Sequence, residues 1–284
     1  MRITAPLILI LAAGAVAGLA VASFAAPSSA PNFADRFADK SPSAIPVDVE
    51  LVIAVDVSYS MDPEEQALQR EGYITGFTSR DFMQALRSGM HGKVAVTYFE
   101  WAGPYDQKIV VPWRLVDGPE AADAFVNEIV RAPYRRASRT SISGALNFAK
   151  PLFDGSGYRG IRRVIDVSGD GANNSGPFVT LVRDDVLAAG VTINGLPIML
   201  KRPSSFTMDI ENLDVYYEDC VIGGPGAFVI PIREREQFKE ATRTKLVLEV
   251  AGRTPERRVV PVQARAPRMS CTVGEQMWRD RWGN

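Results

Sequence analysis

The feature that most constrains this chain is a β-rich apolar run, Val49-Glu50-Leu51-Val52-Ile53-Ala54-Val55, which ends on Asp56. A strand wetted on one face alternates apolar and polar residues. A run without that alternation is buried on both faces, as in a parallel sheet covered by helices. Val164–Val167 and Val191–Pro197 read the same way. Helical patterns separate these runs. Asp62-Pro63-Glu64-Glu65 supplies an N-cap, a first-turn proline and a capping-box glutamate, which predicts a helix over 63–77 and a short second one over 79–88. Further helices are expected over Glu120–Val130, from Ser141 with Ile142, Leu146 and Ala149 on one stripe, over Phe178–Ala188, and over 234–250. Strands are expected at Lys93–Phe99, Lys108–Trp113 and Ala227–Ile230. This alternation predicts an α/β fold with a doubly wound, mostly parallel sheet, and the pair at 93–113 adds one antiparallel edge strand.

Residues 1–26 read as an export signal. Arg2 is the only charge, an apolar run from Ala5 to Val21 follows, and Ser23-Phe24-Ala25 offers a small-residue cleavage site. The run is also long enough to span a bilayer, so an uncleaved membrane anchor is the second reading. Either way the rest of the chain is exported, periplasmic or secreted. Residues 27–47, with Pro27, Pro31, Pro42 and Pro46, read as a tether. The working domain is expected over 48–250 and an arginine-rich tail over 251–284. Thirty-two Lys and Arg against 33 Asp and Glu give no basic excess, so the charge gives no reason to expect a nucleic-acid partner. One histidine and two distant cysteines exclude the common zinc patterns. A metal in this chain has to be held by oxygen.

Asp56-Val57-Ser58-Tyr59-Ser60 closes the first buried run. Ligands of open α/β sheets bind at the carboxyl ends of strands. A carboxylate and two hydroxyls there make a cup of hard oxygens, although a serine turn capping a helix has the same pattern. Two further segments belong to the same expected edge. Arg139-Thr140-Ser141 places a threonine just before a helix, and Val167-Ser168-Gly169-Asp170-Gly171 places an aspartate just past another buried strand.

On these three segments the chain resembles the von Willebrand factor type A (VWA) superfamily over about residues 47–250. That family's metal-ion-dependent adhesion site combines a D-x-S-x-S motif after the first strand, a loop threonine, and an aspartate after the fourth strand. The resemblance implies a Rossmann-like VWA fold and a metal set of Asp56, Ser58, Ser60, Thr140 and Asp170. Ala95-Val96-Thr97-Tyr98-Phe99-Glu100-Trp101 and the segment Asp219–Gly226 are similar to an uncharacterised exported bacterial branch of the superfamily. The middle spacer is often Gly in the family and is Tyr59 here, which puts an aromatic ring at the rim. Asp166 and Asp170 share parity along the strand. Asp170 is taken as the ligand because it lies at the strand end, and Asp166 as a carboxylate paired within the sheet.

Two carboxylates and three hydroxyls are too few for a closed calcium cage. They suit Mg²⁺, with Mn²⁺ or Ca²⁺ as alternatives, and leave room for an outside ligand. The resemblance implies that a protein partner's acidic residue fills that position. Arg135, Arg136 and Arg139, with Arg131, form either a positive rim that steers such a partner or a solvated loop. Cys220 and Cys271 read as a disulfide stapling the tail to the 210–230 segment, with two thiols as the alternative. Gly223-Gly224-Pro225-Gly226 matches no phosphate-binding motif and reads as a tight turn. His91 reads as a surface or capping residue.

The expected function is therefore metal-dependent partner binding without catalysis. A metal-dependent hydrolase or phosphotransferase on a Rossmann-like sheet is the alternative, and a structural domain without metal is a third. An aspartate-nucleophile phosphatase wants a second carboxylate two residues after Asp56, where Ser58 stands.

Overall fold

The computed structural model describes residues 42–201, 208–255 and 268–283. The segment expected to be an export signal over 1–26, most of the segment read as a tether, and the middle of the tail lie outside the described residues. In chain order the elements are β1 (Ile45–Asp56), α1 (Pro63–Phe77), α2 (Arg80–Arg87), β2 (Val94–Trp101), β3 (Gln107–Val116), α3 (Pro119–Arg131), α4 (Ile142–Ala149), β4 (Tyr158–Gly169), α5 (Val179–Ala188), β5 (Thr192–Pro197), α6 (Leu213–Tyr216), α7 (Phe238–Ala251) and α8 (Val273–Trp282). A π turn over Tyr217–Val221 continues α6. Among the described residues no helix is long and apolar enough to cross a membrane.

The sheet order is β3-β2-β1-β4-β5. β1 pairs in parallel with β2 and β4, β4 pairs in parallel with β5, and β2 pairs antiparallel with β3. The expected antiparallel edge strand is β3. Parity along β1 explains the double winding. Val49, Leu51, Ile53 and Val55 join the core under α1, α2, α3 and α7, while Val52 and Ala54 join the core under α4 and α5. Both faces are covered, so the strand shows no polar alternation. β1 starts at Ile45, within the segment read as tether. There it runs beside β4, and its ladder to β2 begins only at Val49, so Pro46 sits at the sheet's margin where a missing N–H is tolerated.

Local chemistry sets the helix ends. Asp62 accepts from the Glu65 N–H and Glu65 accepts from the Asp62 N–H, each at 2.8 Å, which completes the expected capping box. Gly72 and Gly76 let α1 lie close against α7, since a Cβ there would meet Thr242 Oγ1 at 2.7 Å and Leu246 Cδ1 at 2.6 Å. The segment expected to be a strand at Ala227–Ile230 makes only one isolated bridge, Gly195 with Val229, and a second, Ile198 with Ile232, lies just beyond it. Gly224 and Gly226 turn the chain there with positive φ, as a tight turn requires. The tail, irregular by its sequence, contains α8. It is joined to the π turn by a Cys220–Cys271 disulfide with a Cα separation of 5.4 Å. In the chain-entropy account, closing this loop of 51 residues contributes about 4 kcal/mol.

Asp166 is paired within the sheet. Lys245 of α7 contacts it, and Tyr73 donates to it at 3.2 Å. Lys245 also holds Glu249 at 2.5 Å, and Asn194 donates to Glu249 at 3.0 Å. Burial first, and then the charge of Asp166, push the Glu249 carboxyl up from 4.5 to about 7 against the pull of Lys245. A carboxyl with a raised folded pKa adds stability below its unfolded pKa, and that stability is lost as pH rises through the folded value. Measured by urea unfolding against Glu249→Gln, the wild type therefore loses roughly 3 kcal/mol of relative stability as pH rises from 4.5 to about 7. A difference between the two proteins that does not change with pH would contradict this.

Candidate functional site

The sheet order reverses between β1 and β4, and such a switch point opens a crevice at the strands' carboxyl ends. The parallel register sets Val55 opposite Ser168. Asp56 and Asp170 therefore leave neighbouring strands side by side. Gly169 lies between them, and a Cβ there would stand 2.8 Å from Asp56 Oδ2 and 3.2 Å from the Tyr217 hydroxyl. Only a residue without a side chain lets Asp56 sit this close to β4.

The oxygens of the cup are linked. The Ser58 N–H donates to Asp56 Oδ1 at 2.7 Å. Ser58 Oγ and Ser60 Oγ lie 2.7 Å apart, and Ser60 Oγ donates to Asp170 Oδ1 at 2.6 Å. Thr140 is buried on the opposite loop. Its N–H donates to Asn174 Oδ1 at 3.0 Å, and its side chain faces Gly171, whose Cβ would lie 3.6 Å from Thr140 Oγ1. The structure thus brings Asp56, Ser58, Ser60 and Asp170 together and sets Thr140 beside Gly171 at the same edge.

Several observations bear on whether these residues suit a cation. Asp56 Oδ2 is buried and has no hydrogen-bond partner among the described residues. Burial, and then the charge of Asp170, raise the Asp56 pKa well above the usual carboxylate range. Burial raises Asp170 as well, against the pull of Lys201. Neighbouring ligands of an octahedral Mg²⁺ lie about 2.9 Å apart, given bonds of about 2.0–2.1 Å. The hydroxyl spacings of the cup are close to that value. Among the described residues no three His, Cys, Asp or Glu side chains gather as a metal site. The donor set fits a small, hard divalent ion.

The rim residues divide. Tyr59 is 61% exposed, and Arg136 donates to its carbonyl at 2.6 Å. Arg135 turns inward to Asp106 at 2.6 Å and Glu100 at 3.2 Å. Arg139 lies over the Trp278 ring at 3.3 Å, and its φ of +75° is a left-handed value that costs a non-glycine residue about 1–3 kcal/mol. A cavity of about 440 Å³ covers the cup, walled by Tyr59, Arg139, Lys201, Asp209, Trp278 and Arg281.

Two contributors escape the sequence reading. Lys201 contacts Glu65 and the Ser60 carbonyl, and lies 3.1 Å from Asp170 Oδ2. No motif marks it, because a single lysine four residues beyond β5 carries no pattern. The other is α8. Its Glu275 accepts from Asn173 at 2.8 Å, which seats the helix beside the Asp170 loop. The cysteine pair signals that the tail is fastened, but not where.

A buried carboxylate with one unpartnered oxygen, next to a second carboxylate, destabilises the ion-free protein by on the order of 1–3 kcal/mol. Asp56→Asn removes one of the two charges and keeps an acceptor for the Ser58 N–H. Its thermal midpoint in EDTA should lie several degrees above that of the wild type. A lower midpoint would show that Asp56 serves the fold.

The family model described as "Protein of unknown function (DUF1194)" matches residues 46–254. No curated protein matches the chain in sequence. Solved structures share its fold. Proximal thread matrix protein 1 from the mussel byssus, with a zinc occupied MIDAS motif, is 15% identical with a TM-score of 0.53. That match covers 73% of this chain and 48% of the mussel protein. The pilus adhesin SpaC from Lactobacillus rhamnosus GG is 13% identical with a TM-score of 0.54, over 75% of this chain and 31% of the adhesin. A von Willebrand factor type A structure from Catenulispora acidiphila is 14% identical with a TM-score of 0.48, over 72% of this chain and 43% of that one. This chain thus spans about half of the mussel protein and a third of the adhesin, and what it shares with them is a fold. The mixed five-stranded sheet flanked by helices is the VWA fold. The family match runs through β1 to α7, and the protein belongs to the DUF1194 family.

Proposed function

We propose that this protein is an exported recognition module that binds a protein partner through a divalent ion held by Asp56, Ser58, Ser60, Thr140 and Asp170. The observation that carries this reading is the unpartnered, buried Asp56 Oδ2 beside two serine hydroxyls and the Asp170 carboxylate at ligand spacing. When bound, the ion supplies a Lewis-acidic position that takes a carboxylate from the partner. The chain's own residues orient and exclude. Gly169 lets Asp56 approach, Asn174 fixes the Thr140 loop, and Arg136 and Arg139 set positive charge at the rim. The charge of Arg135 is met by Glu100 and Asp106, so steering falls to the other two. Mg²⁺ is the preferred ion, with Mn²⁺ and Ca²⁺ as alternatives.

Export agrees with a Cys220–Cys271 bridge, since structural disulfides persist in oxidising compartments. The apolar segment at 1–26 serves as the export signal or as a membrane anchor. The module has no catalytic role in this reading, in contrast to a hydrolase or phosphotransferase, which needs a nucleophile and a general acid beside the ion.

Isothermal titration of Mg²⁺ and Mn²⁺ into the mature protein tests the proposal. The wild type should bind one ion saturably, and Asp56→Ala should weaken binding at least about tenfold, a loss of roughly 1.4 kcal/mol. Equal titrations of the two proteins would remove the metal from the account. A phosphatase and esterase screen with added Mg²⁺ should give no turnover, and turnover that disappears in Asp170→Ala would establish the enzyme reading instead.

A further inference from the structure

Lys201 is a feature of the cup that metal binding does not explain. Its Nζ meets Glu65, the Ser60 carbonyl and Asp170, the last at 3.1 Å. Its side chain is 29% exposed, against 1% for Glu65 and 3% for Asp170. Both Asp170 oxygens are thus engaged without an ion, Oδ1 by Ser60 and Oδ2 by Lys201. Asp56 Oδ2, one strand away, has no such partner among the described residues. The cup therefore holds one carboxylate neutralised by the protein's own cation and one left open.

We propose that Lys201 is a resident cation of the cup, one that holds Asp170 in the ion-free protein and competes with a divalent ion for that carboxylate. The inference rests on the metal-binding reading above. An ammonium and a divalent ion drawn to one carboxylate repel each other, so loading the cup displaces Nζ from Asp170. A lysine has a flexible four-carbon stem and a rotatable head, which suits such a move. Glu65, already in contact, remains as its anchor, and Asp209 lines the same pocket with Lys201 and Asp170. Two consequences of opposite sign follow. Lys201 stabilises the empty cup by balancing a buried charge, and it weakens the loaded one. The cup then fills only where divalent ions are plentiful.

The test uses the mature full chain. Lys201→Met should lower the thermal midpoint in EDTA and tighten Mn²⁺ binding by calorimetry about tenfold. Lys201→Gln, which keeps a donor without the charge, should do the same with a smaller loss of midpoint. Arg235→Met is the charge control, because Arg235 pairs with Glu64 outside the cup. It should shift Mn²⁺ affinity less than about twofold. Unchanged or weaker Mn²⁺ affinity in both Lys201 variants, with the wild type binding, would overturn this inference and leave the metal site standing. Equal tightening in Arg235→Met would overturn it too, since the effect would then be general charge. Absence of Mn²⁺ binding by the wild type and all variants would overturn the metal reading and this inference together.

Discussion

The working edge of this protein depends on one constraint, the burial of Asp56 at the end of a strand covered on both faces. Residues 49–55 of β1 lie between two layers of helices, and their apolar side chains leave no water beside them. The charge that ends the strand has no solvent to turn to. The parallel ladder with β4 delivers Asp170 to the same place. Two carboxylates therefore meet in a desolvated crevice, where burial and then the charge of Asp170 raise the cost of ionising Asp56. Ordinary folds avoid such an arrangement or neutralise it. Here Lys201 neutralises Asp170, and Asp56 keeps an open oxygen.

The surrounding elements hold this crevice in shape. Arg139 carries its left-handed backbone directly before Thr140, and Trp278 of α8 stacks on its guanidinium. The disulfide fastens α8 to the π turn, and Glu275 ties it to Asn173, which in turn accepts from the Ser143 N–H at 2.9 Å. Strain beside Thr140 is thus braced by a helix that follows the matched family region. Backbone strain of this kind persists where surrounding contacts over-determine it, and it clusters at functional sites.

What the sequence made legible follows from how local each signal is. The buried strands, the Asp62 capping box and the helix stripes are written in contiguous residues, and the structure has them within a few positions. Pairing of Asp166 was legible because a carboxylate inside a sheet needs a partner, although Lys245 could not be named. The cup was legible through three short motifs, and parallel topology gathers them. Lys201 was not, because a lone lysine after β5 has no pattern and reaches the cup only through contacts distant in sequence. The position of α8 was hidden for the same reason. Residues 227–230 look like a strand by composition, yet next to Gly223–Gly226 they only bridge to the edge of β5.

The central claim is that the oxygens at the β1–β4 switch point form a cation site. The most direct measurement is anomalous diffraction from crystals of the protein grown with Mn²⁺. The account predicts one anomalous peak within bonding distance of Ser58 Oγ and Ser60 Oγ, on the side facing Thr140, with Lys201 Nζ moved off Asp170. Crystals saturated with Mn²⁺ that show no peak there, and Lys201 still on Asp170, would contradict it.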